Sequence, residues 1–131
     1  MQTAKNILLI EDDVDDQYLF CDAISSIHPN ISYRIAKNGV EALDLVEQPP
    51  MPDLIFLDLN MPKMNGFECL KQLKKSELYK HIPVVILSTS NRREDIERCR
   101  ELGAKSYSAK PTSFAELFNK LQNILKNGIL R

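Results

Sequence analysis

Polar side chains that could carry chemistry follow four short, strand-like runs of this sequence. They are Glu11, Asp12 and Asp13 after the first run, then Asp58, then Ser88 with Thr89, and last Lys110 with Pro111. A carboxylate can attack phosphorus as a nucleophile, and neighbouring carboxylates can bind Mg²⁺ through oxygen. A hydroxyl group can donate a hydrogen bond to a phosphoryl oxygen, and an ammonium group can neutralise the charge of a phosphoryl group. These are the parts that phosphoryl transfer needs, because its catalysis is mainly positioning and charge stabilisation.

Each of these groups alone has an ordinary structural explanation. The helix dipole favours acids near a helix N-terminus, which would account for Asp13, Asp15 and Asp16. A serine after a strand is often a turn residue, and a lysine usually lies at the surface. Asp58 is harder to explain in this way, because it directly follows the most apolar run, 54–57. The chemical interpretation therefore depends on the elements that would bring the groups together.

The sequence alternates strand-sized apolar runs with segments of helical periodicity, five times in succession. The predicted strands are 5–10, 33–36, 54–57, 84–87 and 106–109. The predicted helices are 15–27, 39 to about 47, 66–75, 91–102 and one that opens at 113–116. Predicted capping pairs are Asn38 with Glu41, Asn91 with Glu94 and Ser113 with Glu116, and Gly103 ends the fourth helix.

This alternation predicts an α/β fold in a single domain, residues 1–131. We expect a five-stranded parallel sheet of order 2-1-3-4-5, flanked by five helices in a flavodoxin-like arrangement. Ligands of such sheets bind outside the carboxyl ends of the strands, so the polar groups would share one edge. Adjacent strands lie about 4.8 Å apart, which lets Asp12 and Asp58 reach one cation. Mg²⁺ fits such oxygen ligands.

Composition excludes several other classes of function. The 131 residues carry a net charge of −1 with a pI near 6.1, which argues against direct nucleic-acid binding. No apolar run is long enough to span a membrane, and no signal peptide is evident. Three widely spaced cysteines, Cys21, Cys69 and Cys99, indicate reduced thiols in a cytoplasmic protein.

The chain resembles a two-component response-regulator receiver domain of the chemotaxis type over nearly its whole length. The resemblance is carried by ILLIEDD at 7–13, NGVEAL at 38–43, DLIFLDLNMPKMNG at 53–66, PVVILSTS at 83–90 and KP at 110–111. The acidic start and the segment 87–90 are most similar to single-domain regulators that partner phytochrome-type and other sensor kinases.

This resemblance implies a role for each residue at the metal site. It makes Asp58 the phosphoacceptor and a ligand of Mg²⁺. Asp12 would bind the ion directly, and Glu11 would hold it through a water molecule. The backbone carbonyl of Asn60 would complete the protein ligands. Asp13 would be an accessory residue beside this group.

The resemblance also implies which residues recognise the phosphoryl group. Ser88 and Lys110 would each contact a phosphoryl oxygen, and Ser88 with Tyr107 would form the switch. The Lys110–Pro111 peptide bond is often cis in such domains. Thr89 follows the hydroxyl residue where most members have Ala or Gly, and Ser90 stands where chemotaxis regulators have an acid. These two differences bear on how long the phosphoryl group would stay.

The expected function is that of a signalling phosphoacceptor rather than an enzyme. A sensor histidine kinase or histidine phosphotransfer protein would donate the phosphoryl group, and a downstream protein target would read the result. A weak homodimer is left open. The main alternative is a docking module that works without phosphorylation.

Two further alternatives fit less well. A haloacid-dehalogenase-type hydrolase needs an acid two residues after the nucleophile, where this chain has Asn60. A flavin-binding module of the same fold needs a phosphate-binding loop after the first strand, and the acids there would repel phosphate.

Overall fold

The computed structural model describes residues 6–61 and 64–126, which contain five strands and five helices. The strands are β1 (Asn6–Ile10), β2 (Ser32–Ala36), β3 (Leu54–Asp58), β4 (Val84–Ser88) and β5 (Ser106–Ala109). The helices are α1 (Val14–Ile27), α2 (Gly39–Val46), α3 (Gly66–Lys75), α4 (Arg93–Glu101) and α5 (Phe114–Lys126). All ten predicted elements are confirmed, with ends that shift by one or two residues.

The strands form one parallel sheet in the order β2-β1-β3-β4-β5, as the sequence predicts. Its register aligns the carboxyl ends of the strands. Ile10 pairs with Leu57, so the residues that follow β1 lie beside the end of β3. Farther across, Asp58 pairs with Leu87 on β4, and Ser88 pairs with Ala109 on β5. This register brings all the candidate polar residues to one edge of the sheet.

Apolar side chains cover both faces of the sheet, which holds that edge in place. On one face, α1 and α5 pack over Phe56 of β3, and the Phe20 ring meets the Phe56 ring edge-on at 5.0 Å between centroids. On the other face, α2, α3 and α4 cover Ile55 and Leu57. Every residue of β3 is buried, which explains its continuous apolar sequence.

Side-chain caps begin most of the helices. Asp13, Asn38 and Asn65 accept hydrogen bonds from the third backbone N–H of α1, α2 and α3, and Ser113 does so for α5. The predicted capping pair of the fourth helix is wrong. Helix α4 begins at Arg93, two residues later than expected, and its N-cap residue makes no side-chain cap. Instead, the Ser90 hydroxyl donates to Asp95 at 2.6 Å and accepts from the Arg92 backbone.

The three cysteines are free thiols, as expected, and two of them are fully buried. Burial raises the pKa of the Cys69 thiol to about 12 and that of Cys99 to about 11. Within the ranges 6–61 and 64–126, no helix has the length and apolar character needed to cross a bilayer. The cis peptide bond of the described chain is Pro49–Pro50, so Lys110–Pro111 is trans and does not follow the family tendency.

Candidate functional site

Three carboxylates meet where β1 and β3 end. Oxygen atoms of Glu11, Asp12 and Asp58 all lie within 4.8 Å of one another. Glu11 and Asp58 are each only 4% exposed, whereas Asp12 is open to solvent. The predicted neighbourhood of Asp12 and Asp58 is therefore present, and Glu11 belongs to the same group.

Three hydrogen bonds hold Glu11 in this group. Its N–H donates to the Ala36 carbonyl at 2.9 Å, which continues the pairing of β1 with β2. The Gln17 side chain of α1 donates to its carbonyl at 2.7 Å. The Glu11 carboxylate accepts from the Asp13 N–H at 3.1 Å. Asp13 thus shapes the loop after β1 as well as capping α1.

Asp58 is held by contacts with residues that directly follow β3. Its Oδ1 accepts from the Asn60 N–H at 3.3 Å. Gly66, the first residue of α3, approaches these residues so closely that a Cβ there would lie 2.4 Å from the Leu59 Cα and 2.6 Å from the Asp58 carbonyl oxygen. Only glycine fits that approach, which explains the glycine at the end of the NMPKMNG segment. The predicted role of the Asn60 carbonyl stays a prediction.

Lys110 reaches the same group from β5, two strands away from β3. Its backbone N–H donates to the Ser88 carbonyl at 2.7 Å, which fixes the start of the side chain. The Lys110 Nζ lies 2.8 Å from Glu11 Oε1, 2.9 Å from Asp16 Oδ2 and 3.7 Å from Asp58 Oδ2. The four-carbon stem of the lysine therefore spans the two strand spacings that separate β5 from β3.

Burial and charge shift the titration of these groups. Burial raises the pKa of Glu11 from 4.5 to about 7; the Lys110 hydrogen bond counteracts this shift and the nearby Asp58 adds to it. Burial likewise raises the pKa of Asp58, against the attraction of Lys110. Burial opposes the charge of Lys110, but its hydrogen bonds to Glu11 and Asp16 outweigh this and raise its pKa. One ammonium does not neutralise the surrounding carboxylates.

This donor set fits a hard divalent cation. All three donors are carboxylate oxygens, the ligands that Mg²⁺ and Mn²⁺ take. Two of the acids are buried and have raised pKa values, so an added positive charge would favour their ionised forms. Asp12, the exposed member, stands at the solvent side, where an ion would enter.

Ser88 and Tyr107 meet at the loop between β4 and α4. Ser88 is fully buried, and its Oγ accepts from the Ser90 N–H at 3.1 Å. The Tyr107 hydroxyl donates to the Ser90 carbonyl at 2.8 Å. Thr89, between them, is exposed at the edge of the site. In this state Ser88 makes no hydrogen bond to Asp58.

Two residues of this region, Asp16 and Ser90, make contacts that the sequence does not predict. The helix dipole is enough to account for an acid at Asp16, yet its carboxylate contacts Lys110. Its spacing offered a signal, because Asp16 stands four residues before the buried Phe20 and so lies on the helix face turned toward the sheet. Ser90 binds both Tyr107 and Asp95. Pro111 lines a small cavity beside Lys110.

Comparisons with known proteins agree with this fold. The family model for the response regulator receiver domain matches residues 7–122. Response regulator Rcp1 from Synechocystis sp. is 34% identical over 126 residues, which cover 92% of this chain and 86% of that protein.

Two solved structures are similar over most of their length. The Mn²⁺-bound form of response regulator Rcp1 has a TM-score of 0.83 and 34% identity, covering 92% of this chain and 91% of that one. The phosphorylated cyanobacterial phytochrome response regulator RcpA has a TM-score of 0.86 and 32% identity, covering 93% and 94%. A divalent metal and a phosphoryl group are thus recorded in relatives of this fold. By its matched residues and its relatives, this chain belongs to the response regulator receiver domain family.

Proposed function

We propose that Asp58 accepts a phosphoryl group in an Mg²⁺-dependent reaction and that the change switches a protein-interaction surface. The donor would be a phosphohistidine of a sensor histidine kinase or a histidine phosphotransfer protein. The observation that carries this proposal is the meeting of Glu11, Asp12 and Asp58 with the ammonium of Lys110. The Mn²⁺-bound Rcp1 and phosphorylated RcpA structures support it by analogy.

The reaction forms one bond and breaks another. An Asp58 oxygen attacks phosphorus in line, and the phosphorus–nitrogen bond to the donor imidazole breaks, with the electron pair staying on nitrogen. The Lys110 ammonium, whose Nζ lies 3.7 Å from Asp58 Oδ2, would neutralise charge on the phosphoryl oxygens. Held by Asp12 and Asp58, with Glu11 through water and the Asn60 carbonyl as a further ligand, Mg²⁺ would supply additional charge neutralisation.

The switch would start at Ser88. Its Oγ now accepts from the Ser90 N–H, and an acyl phosphate on Asp58 offers it an acceptor that the resting site lacks. Turning the Ser88 hydroxyl toward that phosphate disturbs the loop that also binds Tyr107. The phosphoryl group can shift this equilibrium only by the difference in its affinity for the two states. A downstream protein would read the altered α4–β5 surface.

This role is that of an acceptor and not of an enzyme. Each molecule takes one phosphoryl group and then loses it, so no other substrate is turned over. The alternative, a docking module that works without phosphorylation, makes no use of the arrangement around Lys110. The similarity to a phytochrome response regulator favours a light-sensing or related sensor kinase as the donor.

Labelling by acetyl phosphate tests the assignment of Asp58. We expect the wild-type protein with Mg²⁺ to gain an acid-labile phosphoryl group, as measured by intact-protein mass spectrometry. Asp58→Asn should abolish the gain, and EDTA should do the same. Asp44→Asn, which changes an exposed aspartate on α2, is the matched control. Undiminished labelling of Asp58→Asn would refute the assignment.

A further inference from the structure

Asp16 contacts Lys110 at the candidate site, whereas the neighbouring acid Asp15 does not. The Asp16 N–H is capped by Asp13, which fixes Asp16 in the first turn of α1. Phe20, four residues later, is buried against the sheet, so Asp16 faces the sheet edge. Asp15 is exposed, and its side chain makes no hydrogen bond or ion pair with any residue that the structure describes. The two acids therefore carry the same charge in different surroundings.

The ammonium of Lys110 has three N–H donors, and the resting site uses two of them. Glu11 takes one at 2.8 Å and Asp16 takes another at 2.9 Å. Asp58, at 3.7 Å, lies beyond hydrogen-bond distance. One donor is thus left for an acceptor on the Asp58 side, where a transferred phosphoryl group would arrive.

Glu11 and Asp16 differ in what else they can bind. Glu11 belongs to the group of three carboxylates that could hold a cation, and Asp16 lies outside it. A Glu11 carboxylate engaged with a cation is no longer a dedicated partner of Lys110. Asp16 then remains as the anchor that keeps a flexible four-carbon side chain over the site.

We propose that Asp16 is a positioning residue, which holds the Lys110 ammonium with one donor directed at the phosphoryl group on Asp58. This inference rests on the proposed function, because it assigns Asp16 a part in the same transfer. Asp16 acts through Lys110 and need not touch the phosphoryl group. Without the Asp16 carboxylate, the Lys110 side chain would sample more conformations. A smaller fraction of these conformations would direct an N–H at the phosphoryl group in the transition state.

Matched variants of the two acids provide the test. Asp16→Asn and Asp15→Asn each remove one negative charge from the first turn of α1. With saturating Mg²⁺ and phosphoramidate as donor, we expect Asp16→Asn to lower the maximal labelling rate roughly three- to tenfold. Asp15→Asn should stay within about twofold of wild type, as a through-space charge effect alone would give. Asp16→Glu, which keeps the carboxylate, should recover most of the loss.

Two further measurements separate positioning from general damage. The Mg²⁺ dissociation constant, measured by titration, should change equally in Asp16→Asn and Asp15→Asn. The NMR order parameter of the Lys110 Nζ should fall in Asp16→Asn and stay unchanged in Asp15→Asn. Equal labelling rates in the two variants would overturn the inference, and so would a faster rate in Asp16→Asn, which would mean that Asp16 withholds the ammonium.

Failure of the proposed function would look different. If the wild-type protein takes no label at Asp58, phosphoacceptance is refuted, and the Lys110 order parameter still decides the positioning role. An order parameter that falls only in Asp16→Asn supports Asp16 as the anchor of Lys110. An order parameter that is the same in all variants overturns it.

Discussion

Glu11 should make the stability of the metal-free protein depend on pH in an unusual direction. An ordinary surface glutamate has little effect on folding between pH 5 and pH 8. Glu11 is 4% exposed, and burial raises its pKa from 4.5 to about 7. The folded protein therefore binds a proton across a pH range in which the unfolded chain has released it.

The sign and size of the effect follow from linkage. Stability from the protonated form is fully present below pH 4.5 and is lost as the pH rises through about 7. At about 1.36 kcal/mol for each pH unit between these values, the whole loss is about 3 kcal/mol. Most of this loss falls between pH 5 and pH 8. The free energy of unfolding thus decreases toward alkaline pH.

Glu11→Gln isolates this contribution, because glutamine resembles the protonated acid in shape and charge. The assay is urea denaturation in EDTA at pH 5 and pH 8, followed by circular dichroism. Relative to wild type, Glu11→Gln should gain about 2–3 kcal/mol of stability between the two pH values. Glu101→Gln, which changes an exposed carboxylate on α4, is the control. A stability difference between Glu11→Gln and wild type that is the same at both pH values would refute the reasoning.

Three other substitutions test separate contacts by the same denaturation assay. Lys110→Met should destabilise the metal-free protein by about 1–3 kcal/mol more at pH 8 than at pH 5, because ionised carboxylates lose their counter-charge; an equal loss at both pH values would contradict this. Tyr107→Phe should cost about 1 kcal/mol through the lost bond to Ser90, with labelling at Asp58 within about twofold of wild type. Gly66→Ala should cost about 2–4 kcal/mol, because its Cβ meets the backbone after Asp58; full stability would disprove that close approach.

The fold could be predicted from sequence because several independent signals agree. Strands β3 and β4 are each apolar at four consecutive positions and buried on both faces, which is the pattern of central strands in a parallel sheet. The caps Asn38 and Ser113 mark the starts of α2 and α5 correctly. With five alternations, right-handed crossovers leave few sheet orders, and the observed order is one of them.

The start of α4 could not be predicted from local propensity. Asn91 with Glu94 has the spacing of a capping pair, but the helix begins two residues later. The Ser90 hydroxyl instead donates a hydrogen bond to Asp95 in the turn before α4. The Ser90 backbone carbonyl accepts a hydrogen bond from Tyr107, which is distant in sequence. A tertiary contact thus decides the boundary, and no local pattern contains it.

The contacts within the candidate site also differ in how far the sequence predicts them. The neighbourhood of Asp12 and Asp58 follows from sheet order and strand spacing alone, since Asp58 ends β3 and Asp12 stands two residues after the end of β1. The contact between Asp16 and Lys110 depends on a helix face meeting a long side chain from the opposite end of the sequence. Sequence periodicity predicts that Asp16 lies on the face of α1 that is turned toward the sheet. It does not predict that the Lys110 side chain extends far enough to contact Asp16.

The raised pKa values of Glu11 and Asp58 connect these contacts with the expected use of the site. Burial that stabilises the surrounding sheet also penalises two carboxylate charges, and Lys110 offsets only part of that penalty. A cation relieves the remainder, so its binding must release protons wherever the acids are still protonated. In the proposed reaction, a transferred phosphoryl group would bring negative charge back and would need both the cation and the ammonium. The proposed role of Asp16 belongs to this step, because its contact would keep Lys110 in place while Glu11 is engaged with the cation.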